Sequence, residues 1–412
     1  MPLRGLLSAL RSDPQARSLA RACAAVFLLN AADAGVSTVA PAFLSALGYP
    51  LASIGLLLSI YAVASLVSRL PAGILADGRR ARLWFSVSCV VLAISLTLYP
   101  VATESWSFWA VRGVHGLSYG TATTLNLAVV LTLGSGQGRA RAMGLYAAAM
   151  AAGYTLGNLL GGALADLTGY GATFVAIGVF PLLATFFGST IAAPAAAKAS
   201  TGVRTHWLRV LRGREVRGVL LLAISINLIH TAWGTLFPLY AISIGAGLSL
   251  AGGVRATHAF TNTITRPFGE GLVRRFGASG MAILGLLLYA VGVFSLPLTT
   301  IPIVLLALAV VIGAGRASAY LANIVTTSEL AERGIVNRGV ASALMTLGGD
   351  LGSILAPIVA GAAAGRFGIG PAMQGMAVSI TALGILGVVT SRPSSAPDPA
   401  DSSAELARVA PR

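Results

Sequence analysis

The sequence predicts an all-α integral membrane protein: twelve transmembrane helices in two pseudo-symmetric six-helix bundles. Three observations carry that prediction. Of 412 residues, 56% are hydrophobic and 10% charged, with a mean hydropathy of +0.83; soluble domains run at about 25% charged. Apolar runs of about 20 residues, long enough to cross a bilayer, recur from end to end. The chain also repeats its own motifs at an offset of about 197 positions.

The first 21 residues are basic and polar and run into a full-length span at 19–41, without an obvious cleavage site, so this span is expected to be retained. It carries Asn30 and Asp33. Span 2, at 52–75, ends in Arg69-Leu-Pro71-Ala-Gly73, and span 3 follows at 83–103. Span 4, at 106–133, opens on Trp106 and Trp109, which suit a membrane interface, and continues through Arg112, His115, Gly116, Tyr119 and Asn126. Spans 5 and 6 lie at 143–165 and 171–193. A basic linker, 194–217, contains the amphipathic stretch His206-Trp207-Leu-Arg209-Val-Leu-Arg212, suited to lie on a leaflet surface.

Span 7, at 218–242, holds Asn227, His230 and Trp233. Span 8, at 250–271, begins near Arg255, passes His258 and ends in Arg266-Pro267-Phe-Gly269, the echo of the end of span 2. Arg255 is placed to snorkel from the outer end. Span 9 (279–299) leads to span 10 (302–326), where Gly313 and Asn323 repeat the ten-residue spacing of Gly116 and Asn126; Arg316 and Tyr320 lie between them. Span 11, at 339–363, carries Gly348, Asp350, Gly352 and Pro357, and span 12 covers 371–391. The organisation is therefore an N-terminal bundle 1–193, linker 194–217, C-terminal bundle 218–391 and a Pro/Ser/Ala/Asp-rich tail 392–412 expected to be disordered.

A net charge of +15 and a pI near 10.9 raise the question of nucleic acid. Yet 22 of the 28 basic residues fall in alternate loops, and the loops between hold one, Arg366. That asymmetry is the positive-inside pattern for twelve spans with both termini in the cytoplasm, and it excludes a nucleic-acid footprint gathered on one soluble module. The expected location is the inner (cytoplasmic) membrane. Cys23 and Cys89 sit in spans without metal-ligand spacing, so neither a disulfide framework nor a metal site is expected.

Several motifs carry a resemblance. Gly73-Ile-Leu75-Ala-Asp77-Gly-Arg79-Arg80 between spans 2 and 3 is similar to the G-x-L-a-D-r-x-G-r-r loop of the major facilitator superfamily, with Gly78 where Arg is usual and without the second Gly. Glu270-Gly-Leu272-Val-Arg274-Arg275-Phe-Gly277 is its weaker counterpart. Arg112-x2-His115-Gly116 resembles the R-x-x-Q-G signature of proton-coupled members, with His for Gln. Gly144-x8-Gly153-x3-Gly157-Asn158-x2-Gly161-Gly162 resembles the antiporter signature at every position but Pro, here Asn158. The resemblance covers essentially the whole chain. It implies transport by alternating access, with spans 1, 4, 7 and 10 lining the cavity and Gly73, Asp77, Arg79 and Arg80 acting as a cytoplasmic latch.

Charges inside a bilayer are costly, about 2.5–3.5 kcal/mol each on insertion scales, so Asp33, Arg112, Arg316 and Asp350 are functional candidates. Depth at 1.5 Å per residue sets Asp33 level with Arg112 in the outer half, and Arg316 level with Asp350 near the midplane. The expectation is a proton carried by Asp33, tuned by Arg112 and relayed by His115, with Arg316–Asp350 as a second pair. As an alternative, both pairs lock helices together. Asn30, Tyr119, Asn126, Asn227, His230, Trp233, Tyr320 and Asn323 are candidate substrate contacts, and interhelical hydrogen bonding is the competing use of each. The glycines of span 5 are expected to bring it close to a partner in the second half.

The Gly-rich stretches lie inside apolar spans, outside the strand–turn–helix context of a nucleotide site, and no nucleophile–base set or metal cluster is evident. An enzyme is not expected, nor a cofactor beyond the proton as coupling ion. The expected protein is a monomer in the lipid bilayer that exports a small amphipathic drug or metabolite by proton-coupled antiport. The alternative is proton symport importing a small, anionic metabolite.

Overall fold

The computed structural model describes residues 13–76, 80–133, 137–188 and 210–392, and every regular element among them is helical. Asp77, Arg79, residues 194–209 of the linker with the start of its amphipathic stretch, and the tail from 393 onward lie outside the described residues.

Helix α1 (Pro14–Ala46) starts where the Asp13 carboxylate accepts the Gln15 N–H at 2.8 Å and Pro14 presets φ for the first turn. Helices α2 (Leu51–Ala76), α3 (Ala81–Leu98) and α4 (Ser105–Thr132) follow through short turns. Gln137–Gly188 is helical throughout except at Gly169, whose φ of 81° and ψ of 170° suit only a residue without a side chain. The break divides it into α5 (137–168) and α6 (170–188). In the second half, α7 (Arg214–Ser243) precedes α8 (Gly247–Thr265), which a 3-10 turn, Arg266–Phe268, joins to Gly269–Ser295. That helix breaks in the same way at Gly277 (φ 67°), so 269–276 prolongs α8 and 278–295 forms α9. Then come α10 (Pro302–Glu332), α11 (Arg338–Phe367), whose start is capped by Asn337 accepting from the Val340 N–H, and α12 (Ile369–Ser391).

Nine stretches among the described residues are long and apolar enough to cross a membrane. Two of them, Gly138–Gly188 and Gly247–Leu298, contain the breaks at Gly169 and Gly277, and Ser105–Thr132 falls outside the nine. Twelve passes require each long stretch to cross twice and α4 to cross as well. Without water to satisfy them, hydroxyls bond inward: Ser118, Thr121, Thr155, Thr263 and Thr326 each donate to the carbonyl four residues back.

The two halves pack with the same register. Gly116 of α4 abuts Tyr61 and Ala64 of α2, and 197 residues on, Gly313 of α10 abuts His258 and Thr261 of α8. Gly153, Gly157 and Gly161 of α5 lie on the backbone of α1 at Phe27, Ala31 and Gly35; Gly348 and Gly352 of α11 meet α7 at Ala223 and Ile224. Small residues at these crossings let backbones touch. The expectation that the span 5 glycines face the second half is therefore corrected for three of them. Gly162 alone reaches across, to Leu248 and Gly252 of α8, and its equivalent crossing is Gly55 of α2 against Pro357 of α11. At Gly73 and Gly144 a Cβ would meet nothing within 4 Å, so these two make no close approach. Arg80 stands exposed at the start of α3.

The basic residues of alternate turns, among them Arg80, Arg82, Arg274 and Arg333, mark one end of the bundle as the arginine-rich end; the other, with Arg366, is the arginine-poor end.

Candidate functional site

A cavity of about 440 Å³ lies between the halves, within the range of small-molecule sites. Its wall carries four arginines, Arg112, Arg255, Arg266 and Arg316, and one carboxylate, Asp33. Pro41, Leu58, Met150 and Trp233 supply apolar surface.

On the first-half side the charges form a chain of contacts. The Tyr99 hydroxyl, at the turn after α3, accepts from Arg112 Nη1 at 3.1 Å and lies 3.0 Å from His115 Nδ1. Arg112 Nη1 also faces His115 Nδ1, at 3.4 Å, so Nδ1 is placed to accept and the ring proton belongs on Nε2. That nitrogen points at Asp33 Oδ1, 3.6 Å away. The Arg112 guanidinium covers the Tyr61 ring at 4.6 Å. The expected Asp33–Arg112 pair is thus indirect: His115 lies between them, its Nδ1 3.4 Å from Arg112 Nη1 and its Nε2 3.6 Å from Asp33 Oδ1. His115 is buried away from the cavity wall.

On the second-half side the His230 and His258 rings stack at 5.1 Å, and Trp233 stands edge-on to His258 at 5.1 Å. His230 Nδ1 and His258 Nε2 are buried without a hydrogen-bond partner, as is Arg316 Nε. Arg255 does not snorkel. Its Nε donates to Asn158 Oδ1 at 2.9 Å and its Nη1 to the Gly234 carbonyl. Asn158 also accepts from Thr38 at 2.8 Å and donates to the Tyr154 carbonyl. The residue that replaces Pro in the glycine signature thus ties α1, α5 and α8 together across the halves.

The Arg316–Asp350 pair is corrected outright: both Asp350 oxygens lie 2.9 Å from Arg69 Nη1 of α2. Depth alone matched Asp350 to Arg316, but α11 packs on α2, and the long Arg69 side chain covers the remaining distance. Among the substrate candidates, Asn227, His230 and Trp233 line the cavity, the last also donating to the Tyr289 hydroxyl at 3.2 Å. Asn30, Tyr119, Asn126, Tyr320 and Asn323 do not. Asn30 accepts from Tyr119, Asn126 donates to the Ala22 carbonyl of α1, Tyr320 lies under Arg266, and Asn323 is fully buried. Sequence reasoning missed Tyr61, Asn158, Asn262 and Arg266 on the wall. The repeat offset, applied to Arg69, would have singled out Arg266. Among the described residues there is no cluster of metal-ligating side chains.

Comparisons agree with this architecture. Residues 22–277 and 254–411 match the family model described as Major Facilitator Superfamily. An uncharacterized MFS-type transporter of Methanocaldococcus jannaschii is 24% identical over 368 residues, 85% of this chain and 93% of that one. Monocarboxylate transporter 13 of Rattus norvegicus is 34% identical over 149 residues, 34% of each chain. A bacterial homolog of the human lysosomal transporter Spinster, solved inward-facing and unoccupied, superposes with a TM-score of 0.72 at 15% identity, covering 93% of this chain and 100% of that one. The nucleoside transporter NupG does so at 0.74 and 14% identity, covering 92% and 100%. At those identities the structures speak for the fold alone. The chain belongs to the Major Facilitator Superfamily and is a multi-pass membrane transporter, not an enzyme.

Proposed function

We propose that this transporter carries a small organic anion together with a proton, by alternating access of the central cavity. The observation behind this reading is the wall's charge: four arginines against Asp33. A lipophilic cation would meet like charge there, whereas a carboxylate finds bidentate donors. The matching monocarboxylate transporters are, by name, carriers of organic acids.

The same balance favours symport over the antiport expected from the glycine signature. Protonating Asp33 removes the only negative charge that the described residues bring to the wall. Two unit charges roughly 8 Å apart at an effective dielectric near 20 interact by about 2 kcal/mol, and by linkage a bound anion favours the proton as much as the proton favours the anion. Proton and anion therefore bind together, whereas antiport needs them to compete. His115 and Tyr99 lie behind the wall, next to Asp33 and to Arg112 on it. The protein acts as a monomer with twelve passes in the inner membrane, arginine-rich end and both termini toward the cytoplasm. The antiport of an amphipathic drug keeps one observation in its favour, the apolar patch of Pro41, Leu58 and Trp233.

Proteoliposomes with a pH-sensitive dye inside test the reading. Strong organic acids, whose neutral forms are too scarce to leak, should acidify the lumen when added outside, and Asp33→Asn should abolish the signal. Alkalinisation by lipophilic cations, without any response to acids, would overturn it in favour of antiport.

A further inference from the structure

Resting on the anion reading above, the geometry points to a substrate with two separated acid groups, one held by Arg316 and the other by Arg266.

The argument begins with the repeat. Arg69 of α2 and Arg266, at the end of α8, are equivalent at the 197-residue offset that also relates the contacts of Gly116 and Gly313. Arg69 crosses to the other half and is neutralised by Asp350 at 2.9 Å. The span 5 and span 11 glycines are offset by 195, so the equivalent of Asp350 is Thr155 of α5. Thr155 has no charge and spends its hydroxyl on the Ala151 carbonyl. The register at this crossing is fixed, because Gly55 meets Pro357 and Gly252 meets Gly162 in the same two frames. Arg266 therefore occupies a position whose twin has a carboxylate and which itself has none.

Arg316 is the second open cation. Among the described residues it makes no hydrogen bond or ion pair, and its Nε is buried and unpaired. Two of the other arginines on the wall are engaged: Arg112 by Tyr99, Arg255 by Asn158 and Gly234. Arg266 has an aromatic contact, its guanidinium 5.6 Å from the Tyr320 ring centre, and no acid. Arg316 and Arg266 line the same cavity. Counted from the arginine-poor end, Arg316 lies about 21 Å down α10 and Arg266 about 28 Å down α8, some 7 Å apart in depth at 1.5 Å per residue. A diacid with a chain of several atoms between its carboxylates matches that offset of the two backbones. The unpaired nitrogens of His230 and His258 share the cavity wall with Arg316 and, where they carry the ring proton, donate hydrogen bonds to the same ligand.

The test is calorimetric titration of the purified full-length protein with straight-chain dicarboxylates of four to six carbons, their half-esters, and phenyl phosphate. Diacids should bind at least tenfold more tightly than their half-esters. Arg266→Gln should lower the diacid to the affinity of its half-ester and leave the half-ester unchanged, and Arg266→Lys should restore part of the difference. Arg316→Gln should weaken both. Equal affinity for diacid and half-ester would overturn the two-acid inference and leave the anion reading intact. Phenyl phosphate binding as tightly as the best diacid would show both arginines converging on one group, and would overturn the separation. Binding of lipophilic cations and of none of the acids would remove both this inference and the reading beneath it.

Discussion

The α2/α11 and α5/α8 contacts are equivalent stretches of the repeat, yet each is fastened at a different end. At the arginine-rich end, α2/α11 has the Arg69–Asp350 pair, where α5/α8 has Arg266 and Thr155. At the arginine-poor end the situation reverses. The Asp166 carboxylate of α5 accepts the backbone N–H groups of Leu248 at 2.9 Å and Ser249 at 2.6 Å, the first turn of α8, where a negative charge also suits the helix dipole. The equivalent of Asp166 on α11 is Gly361, which lies flat on Leu51 and Gly55 of α2 and has no side chain to bond with. A duplicated backbone thus keeps its crossing geometry while its charges diverge. At the arginine-rich end one crossing is closed by the protein's own acid, and the other is left for the ligand's.

The strongest challenge to this pairing of crossings is at the backbone contact itself. A Cβ on Gly162 would run into the Leu248 carbonyl and the Gly252 Cα. Gly162→Val should therefore cost about 1–3 kcal/mol or more as overpacking between backbones, seen as a lowered midpoint or loss of monodisperse protein on thermal unfolding in detergent. Gly144→Ala, in the same signature but with open space around it, should leave the midpoint unchanged or slightly raised. Equal losses in the two variants would remove the assignment of the crossing to Gly162. Next, Thr155→Asp would give α5 the carboxylate its twin has. It should occupy Arg266 and weaken diacid binding at least tenfold in the same titration, with the half-ester little changed. Unaltered diacid affinity would mean that the two crossings are not equivalent in practice. A slighter change is expected from Asp166→Asn, which keeps one acceptor and loses the charge at an exposed helix end. It should shift the opening equilibrium of the arginine-poor end by about 0.3–1 kcal/mol, or roughly two- to fivefold, read as the rate of crosslinking between cysteines placed on α5 and α8.

The fold was legible because its determinants are local and repeated: apolar length, arginine alternation and the glycine spacing all survive without knowing any neighbour. The wall was legible in part. Asp33, Arg112, Asn227, His230, Trp233 and Arg316 line the cavity because polar side chains in the middle of inner helices have few other places to go. The partners were not legible, because depth fixes only one coordinate. Asp350 matched Arg316 in depth while facing α2, and Arg255 was assigned to the interface although its side chain turns inward to Asn158. Asn126 and Asn323 show the opposite limit. Their spacing is real, but neither lines the cavity: the Asn126 amide bonds to α1, a use helix packing makes of buried amides, and the Asn323 amide is buried without a hydrogen bond.

The contact made by Asp166 has a consequence for how this chain can diverge. Its partners are main-chain amides, which every residue except proline provides, so drift at positions 248 and 249 leaves the fastening intact. Gly247 is different: at φ 71° it opens α8, and any side chain there would stand 2.7 Å from Asp166 Oδ2. Inheritance of this closure therefore depends on two positions, 166 and 247. The Arg69–Asp350 pair is undone by a change on either side and restored only by two changes made together.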